Sequence, residues 1–321
     1  MGWRTWREAT EHALYGDGGF YRRTPGPAAH FRTSVHASPR FAEAVLSLAR
    51  AAGLTTVVDM GAGGGELLVA LHALDPSLDL VGVELADRPP GLADEVRWTA
   101  AAPGDLTALV VANEWLDNVP VDVVELAEDG PRLVEVDESG VERLGARPAE
   151  PDRRWLDRWW PLAEVGDRAE VGRPRDEQWA AVVAVMHCGV AVAIDYSHGR
   201  DDRPAAGTLT GYRDGRQVHP VPDGTCDVTS HVALDACAAA GAAAGADETL
   251  LTTQRAALRA LGLRHGTPAH ALATTDPPAY VAALSAAGQV AELTAPEGLG
   301  GFGWLVQSVR TGLPDRLGNL R

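Results

Sequence analysis

The run Asp59-Met-Gly61-Ala62-Gly63-Gly64-Gly65-Glu66 sets an acidic residue two places before the first of three glycines at alternate positions. Glycines at this spacing let the backbone turn sharply and approach a ligand with no Cβ in the way. A helix starting just after them offers unpaired N–H groups at its first turn. A dinucleotide site wants G-x-G-x-x-G, with the pyrophosphate on the helix N-terminus. Here Glu66 stands at the last place, and Asp59 would sit close to a pyrophosphate and repel it. S-adenosylmethionine carries no phosphate but has a sulfonium and an ammonium, so carboxylates suit it. The acidic start, the tight G-x-G-x-G and the absence of Lys or Arg in the turn favour that nucleoside. A nicotinamide or flavin nucleotide, or a turn that binds nothing, stays open at this point.

Glu84 follows Gly65 by 19 residues and closes a second apolar run, where a carboxylate can accept both ribose hydroxyls of an adenosyl group. That role is common to several nucleoside cofactors, and a solvated strand end would look the same. A third cluster, Asn113-Glu114-Trp-Leu-Asp117-Asn118-Val-Pro120, ends another apolar run. Side chains there project over the carboxyl edge of an open α/β sheet, where ligands bind. Two carboxylates three residues apart, with Asn113 beside them, could hold a substrate nitrogen and take its proton. A polar helix cap followed by a solvated turn would explain Asn118 but fits the whole cluster poorly.

These residues need a frame. Thr55-Thr-Val-Val-Asp59 predicts a buried β-branched strand, residues 66–74 a helix, and residues 78–84, 96–99 and 109–113 three more strands. Ser38 as N-cap and Pro39 at the first helical position start a helix that Gly53 closes. Strands alternating with helices imply an α/β fold with a doubly wound, mostly parallel sheet. Residues 121–126, 133–136 and 141–144 read as a β-hairpin extension, and 151–180 as a helical insertion. The tryptophans of that insertion, Trp155, Trp159, Trp160 and Trp179, are expected to be packing anchors. Residues 190–195 form another buried strand and residues 198–222 a polar loop long enough to act as a lid. The tail holds a helix near 254–261 and a last strand at 303–309.

A net charge of −16 excludes the basic surface that a nucleic-acid grip requires. All 28 basic residues are Arg, a bias expected of a GC-rich genome, and lysine-based chemistry is excluded. Cys188, Cys226 and Cys237 show no ligand spacing, so neither a metal site nor a disulfide framework is expected. With no signal-like start and no apolar run of about 18 residues, the expectation is a cytoplasmic protein with no membrane partner.

Asn113-Glu114-x-x-Asp117-x-x-Pro120 resembles the N-E-x-x-D-x-x-P signature of the MidA family, which includes the mitochondrial complex I assembly methyltransferase. Gly19-Phe20-Tyr21, Phe31-Arg-Thr33-Ser34, Ile194-Asp195-Tyr196, Gly207-Thr208-Leu209-x-x-Tyr212-Arg213 and Asp227-Val-Thr229-Ser-His231-Val232 are similar to further motifs of that family, in family order, with Gln254 beyond them. The chain departs from it at Ala29-His30 and Val35-His36, where the family has Gly-Asp and Pro-Glu, and at Asp214-Gly215, which replaces a His. The resemblance implies a Rossmann-like class I methyltransferase that uses S-adenosyl-L-methionine to methylate arginine nitrogens of a protein partner. It implies Glu114, Asp117 and Asn113 as catalytic residues, and Asp59, Gly61, Ala62, Gly63, Gly65, Glu84 and Asn113 as cofactor contacts. Phe31, Thr33, Ser34, Tyr196 and His231 fall on the substrate side. A small-molecule acceptor and a non-catalytic cofactor-binding assembly protein are the alternatives, with a homodimer allowed. The expected division is an N-terminal helical and loop segment, 1–50, and a methyltransferase domain, 51–321, with the hairpin at about 121–144 and the insertion at about 151–185.

Overall fold

Aliphatic, β-branched runs build the main sheet of the computed structural model, which describes residues 2–22, 33–264, 266 and 268–320. Its strands are β1 (Thr56–Met60), β2 (Asp79–Val83), β3 (Arg97–Thr99), β4 (Leu106–Asn113), β5 (Met186–Asp195), β6 (Glu248–Thr253) and β7 (Gly303–Val309), in the order β6-β7-β5-β4-β1-β2-β3. The run from β5 through β4, β1 and β2 to β3 is parallel, and β6 pairs antiparallel with β7. Val57, Val58, Leu80, Val81, Leu109, Val110 and Ala191 are buried in adjacent strands, as in a sheet covered on both faces. The register sets Asp59 opposite Gly82 and Val111, and Asn113 opposite Ile194. The carboxyl ends of the central strands are therefore level.

Two compact units divide the chain. One comprises Arg32–Asn113, Met186–Ile194 and Asp247–Arg321, and carries this sheet; the other comprises Met1–Phe31, Glu114–Val185 and Asp195–Ala246. Residues 1–50 are thus shared between them. In the sheet unit, Ser38 Oγ accepts from Arg40 N at 3.0 Å and caps the helix Pro39–Ala51, with Gly53 at φ +68° beyond it.

The second unit is built on antiparallel strands. Val123–Ala127, Gly130–Val136 and Glu142–Leu144 form the expected meander, joined by Arg4–Thr5 and Arg168–Glu170. That last strand corrects the all-helical insertion: it lies between the helices Glu150–Trp159 and Arg173–Ala184 and pairs with Val123–Ala127. Trp155, Trp160 and Trp179 are buried as packing anchors, whereas Trp159 is half-buried under the Arg158 guanidinium at 4.6 Å. The lid loop is corrected too. Thr210–Arg213, Arg216–Val218 and Asp227–Thr229 form a three-stranded sheet. Asp214 and Gly215, both at positive φ, make the hairpin turn, a pairing whose Asp-Gly signal was present in the sequence. In the tail, β6 and the 17-residue helix Pro277–Leu293 are additions to the sequence reading. Among the described residues no helix is long and apolar enough to cross a membrane.

Candidate functional site

In the sheet unit the chain leaves β1 through Gly61, Gly63 and Gly65, at φ +68°, +55° and +78°. A side chain at any of them would strain the backbone. Gly61 N and Ala62 N donate to Val83 O at 2.9 and 3.2 Å, which docks the turn on the end of β2. Gly65 N closes the turn on Ala62 O at 2.8 Å, and Gly65 caps the helix Glu66–Leu74. Glu84 ties the same turn down from β2. Its Oε2 accepts from Gly63 N at 3.0 Å, and its Oε1 from Leu85 N and Ala86 N at 2.7 and 3.1 Å. A carboxylate offers about four lone-pair sites, so one remains for a ligand hydroxyl in this arrangement. The two-hydroxyl grip expected from the sequence requires Glu84 to release a neighbour.

Asp59 is buried at the end of β1, and its carboxyl is pushed up to about 8, by burial first and then by the negative charges of Glu66 and Glu84. Burial also works against ionisation of Glu66, but the His36 imidazole and the N–H groups of Glu66 and Gly64 outweigh it and hold this carboxyl below its ordinary value. His36 Nε2 lies 3.4 Å from Glu66 Oε1, and Thr33 Oγ1 lies 2.8 Å from His36 Nδ1. Ser34 is fully buried, with Oγ donating to Gln254 Oε1 at 3.2 Å, beside Trp304 Nε1 on the same oxygen. Of the F-x-T-S stretch, then, Thr33 braces the glycine turn, Ser34 staples the core, and Phe31 lies outside the described residues. Asn113 ends β4, half-buried.

The other unit holds the acidic cluster. Glu114 has φ +52°, a strained value for a residue with a Cβ, and its carbonyl accepts from Asn118 Nδ2 at 3.0 Å. Tyr15 Oη and Tyr21 Oη donate to the carbonyl and the side-chain oxygen of Asn118 at 2.9 and 2.5 Å. Asp195 is fully buried, and its Oδ2 accepts from Leu116 N and Asp117 N at 3.0 and 3.2 Å. Asp117 Oδ2 accepts from Thr229 Oγ1 at 3.0 Å. Burial raises the pKa of both aspartates, and their mutual repulsion raises Asp195 further. Burial and the Asp117 charge push Asp227 up to about 7, against a hydrogen bond from Tyr21. The buried Arg175 partly offsets this negative field.

Tyr196 stacks on His231 with ring centroids 5.7 Å apart, and His231 N donates to Thr208 Oγ1. These two candidate residues are brought together in the same unit as Glu114 and Asp117. Sequence reasoning missed Arg175, whose guanidinium reaches four backbone carbonyls, because nothing local sets it apart from the other arginines. It also missed Tyr15 and the His36–Glu66 pair; Val35-His36 stood out only as a departure from the family pattern.

Residues 82–251, more than half of the chain, match the profile of a family described as S-adenosyl-L-methionine-dependent methyltransferase. The chain belongs to that family. This methyltransferase is similar to a protein from Burkholderia thailandensis whose crystal structure holds S-adenosyl-homocysteine. The two share 29% identity over 98% of this chain and 90% of that one, with a TM-score of 0.81. A second crystal structure from Burkholderia thailandensis, of an uncharacterised protein, matches at 29% identity over the same shares with a TM-score of 0.80. No curated protein matches the chain.

The cofactor is S-adenosyl-L-methionine, and the residues around the turn suit it. The side-chain carboxyl of the buried Asp59 accepts no hydrogen bond among the described residues, and two further carboxylates flank the turn. Together they favour a cationic nucleoside. A raised Asp59 has a measurable consequence. Near pH 7 it holds a proton, and a cationic ligand favours the ionised form, so binding should release that proton and strengthen as pH rises towards 8. Calorimetry at pH 7 in buffers of different ionisation heat should show the release, and Asp59→Asn should remove it; equal proton release in both proteins would be the contrary result. The sign reverses for the unliganded fold. Between 3.8 and about 8 the native state keeps a proton that the unfolded chain loses, so this carboxyl makes stability fall as pH rises.

Proposed function

We propose that this methyltransferase transfers methyl groups to arginine nitrogens of a protein substrate. One observation carries the reading: Asp117, Asp195 and Asp227 are buried in one unit with Glu114, and the buried Arg175 guanidinium beside them is directed at carbonyl oxygens. Such a concentration of acceptors suits a cationic acceptor group. The MidA-like motifs at 113–120, 194–196 and 227–232 support the same reading, and the net charge of −16 suits a basic partner segment.

S-adenosylmethionine supplies an electrophilic methyl on its sulfonium. A guanidinium stays protonated near neutral pH, so a carboxylate must orient it and accept its proton as the nitrogen is alkylated. Glu114 is assigned that role, with Asp117 as second acceptor and Asn113 fixing local geometry. The strained Glu114 backbone is held by Asn118, which both tyrosines hold in turn.

The test is labelled methyl transfer to arginine-containing peptides and to the same peptides with lysine or citrulline in place of arginine. Label confined to arginine, recovered as methylarginine on hydrolysis, is the expected result. Label appearing instead on free amines or small phenols would replace this reading with a small-molecule methyltransferase. Cofactor binding with no transfer would favour an assembly role. Glu114→Gln is expected to lower turnover by roughly 10²- to 10⁴-fold while leaving cofactor affinity within several-fold. Unchanged turnover would remove Glu114 from the mechanism.

A further inference from the structure

Glycine turns that bind nucleotides present free N–H groups to a phosphate. Here the Gly61, Ala62 and Gly65 donors are taken by backbone carbonyls, and those of Gly63 and Gly64 by the protein's own carboxylates. Gly63 N–H donates to Glu84. The Glu66 carboxylate lies over Gly64, so closely that a Cβ at Gly64 would overlap it. This placement is held from a third direction, because Glu66 Oε1 faces His36 Nε2 at 3.4 Å, and Thr33 Oγ1 fixes the other ring nitrogen at 2.8 Å. Thr33 precedes the short helix Ser34–Ala37, and Ser34 anchors that helix to the core through Gln254. The brace on Glu66 therefore begins in a fully buried side chain rather than in a mobile surface pair.

We propose that Glu66 is a specificity-determining residue of the cofactor site, with His36 and Thr33 as its positioning residues. Its carboxylate closes the turn to phosphate-bearing nucleosides and adds a negative charge that favours the sulfonium donor over its neutral thioether product. The physical basis is substitution of one anion for another. A phosphate entering the turn must displace a carboxylate from the glycine backbone and then sit beside Asp59, Glu66 and Glu84. A sulfonium meets the same charges as attraction. The protonation behaviour agrees: Glu66 is held ionised despite its partial burial, and its charge is felt at Asp59. This inference rests on the cofactor and not on the acceptor, so it stands or falls separately from arginine methylation.

The experiment is calorimetric titration of the full chain with S-adenosylmethionine, S-adenosylhomocysteine and ADP. The unaltered protein is expected to bind the first two and to give no heat with ADP. In Glu66→Gln the donor should weaken by about tenfold and the product by about threefold or less, since only the donor loses a charge–charge attraction. ADP should become a measurable ligand at millimolar concentration. His36→Gln and Thr33→Val should move the donor-to-product ratio the same way by a smaller factor. Gly64→Ala should do so as well, because its methyl displaces the carboxylate without removing it. Should Glu66→Gln fail to fold by circular dichroism, the Gly64→Ala and His36→Gln ratios decide. Equal loss of donor and product with ADP still silent is what a merely structural residue gives, and that result, or no change at all, overturns the proposal.

Discussion

Glu84→Ala is expected to weaken binding of both S-adenosylmethionine and its demethylated product by about a hundredfold. The carboxylate accepts from three backbone N–H groups at once, of Gly63, Leu85 and Ala86. Hydrogen bonds to a charged acceptor contribute about 1.5–3 kcal/mol each, and these are solvent-exposed, so the lower end applies. Losing the Gly63 bond frees the turn at its middle glycine, whose positive φ then has fewer restraints. The remaining lone pair is lost to the ligand as well. Glu84→Gln keeps one acceptor oxygen and should fall between the two. Since the Glu84 bonds act on a turn and not on the core, the melting temperature without ligand should drop by no more than a few degrees. Calorimetry and thermal melts on the same samples separate the effects. A loss under fivefold in Glu84→Ala would mean that the remaining contacts hold the turn unaided.

The parts of this fold that rest on local rules were legible in the sequence. Ser38-Pro39 predicts the start of a helix because capping and a preset φ act within one turn, and the helix begins there. The strands at 56–60, 79–83 and 106–113 read as apolar runs because a covered parallel sheet needs no polar face. The glycine turn was visible because positive φ is expensive for other residues. Elements whose stability comes from distant partners were hidden. Arg168–Glu170 is a three-residue strand that exists through its pairing with Val123–Ala127, and its composition suits a helix equally well. The hairpin from Thr210–Arg213 to Arg216–Val218 is polar and so reads as a loop, although Asp214-Gly215 marks its turn. The same holds at the site. Glu66 and His36 are separated by 30 positions, so no spacing rule links them, and Ser34 is joined to Gln254 only by folding.

Arg175 shows the strongest form of that dependence, and Arg175→Met is expected to destabilise the protein by about 3–5 kcal/mol. The side chain is almost fully buried at the start of the helix Arg173–Ala184. Its guanidinium donates to Asp117 O at 2.7 Å, His231 O at 2.9 Å, Ser230 O at 3.1 Å, Val119 O at 3.2 Å and Ser230 Oγ at 3.0 Å. It thereby joins residues 117–119 to residues 230–231, the segments that carry Asp117 and His231. Burial disfavours its charge, while Asp117, Asp195 and Glu170 sustain it. Methionine fills similar space but leaves those carbonyls without donors and those carboxylates without a cation. Lysine restores the charge with three donors in place of a planar fork, so Arg175→Lys should recover only part of the loss. The pH dependence gives a sharper check. Asp117 and Asp195 already have raised pKa values, and in the methionine variant they rise further, so acid should neutralise them and relieve the repulsion. The destabilisation measured by urea unfolding should therefore be smaller at pH 5.5 than at pH 8. An equal loss at both pH values would show that the missing hydrogen bonds, and not the missing positive charge, dominate; a loss below about 1 kcal/mol would mean that water replaces the guanidinium in full.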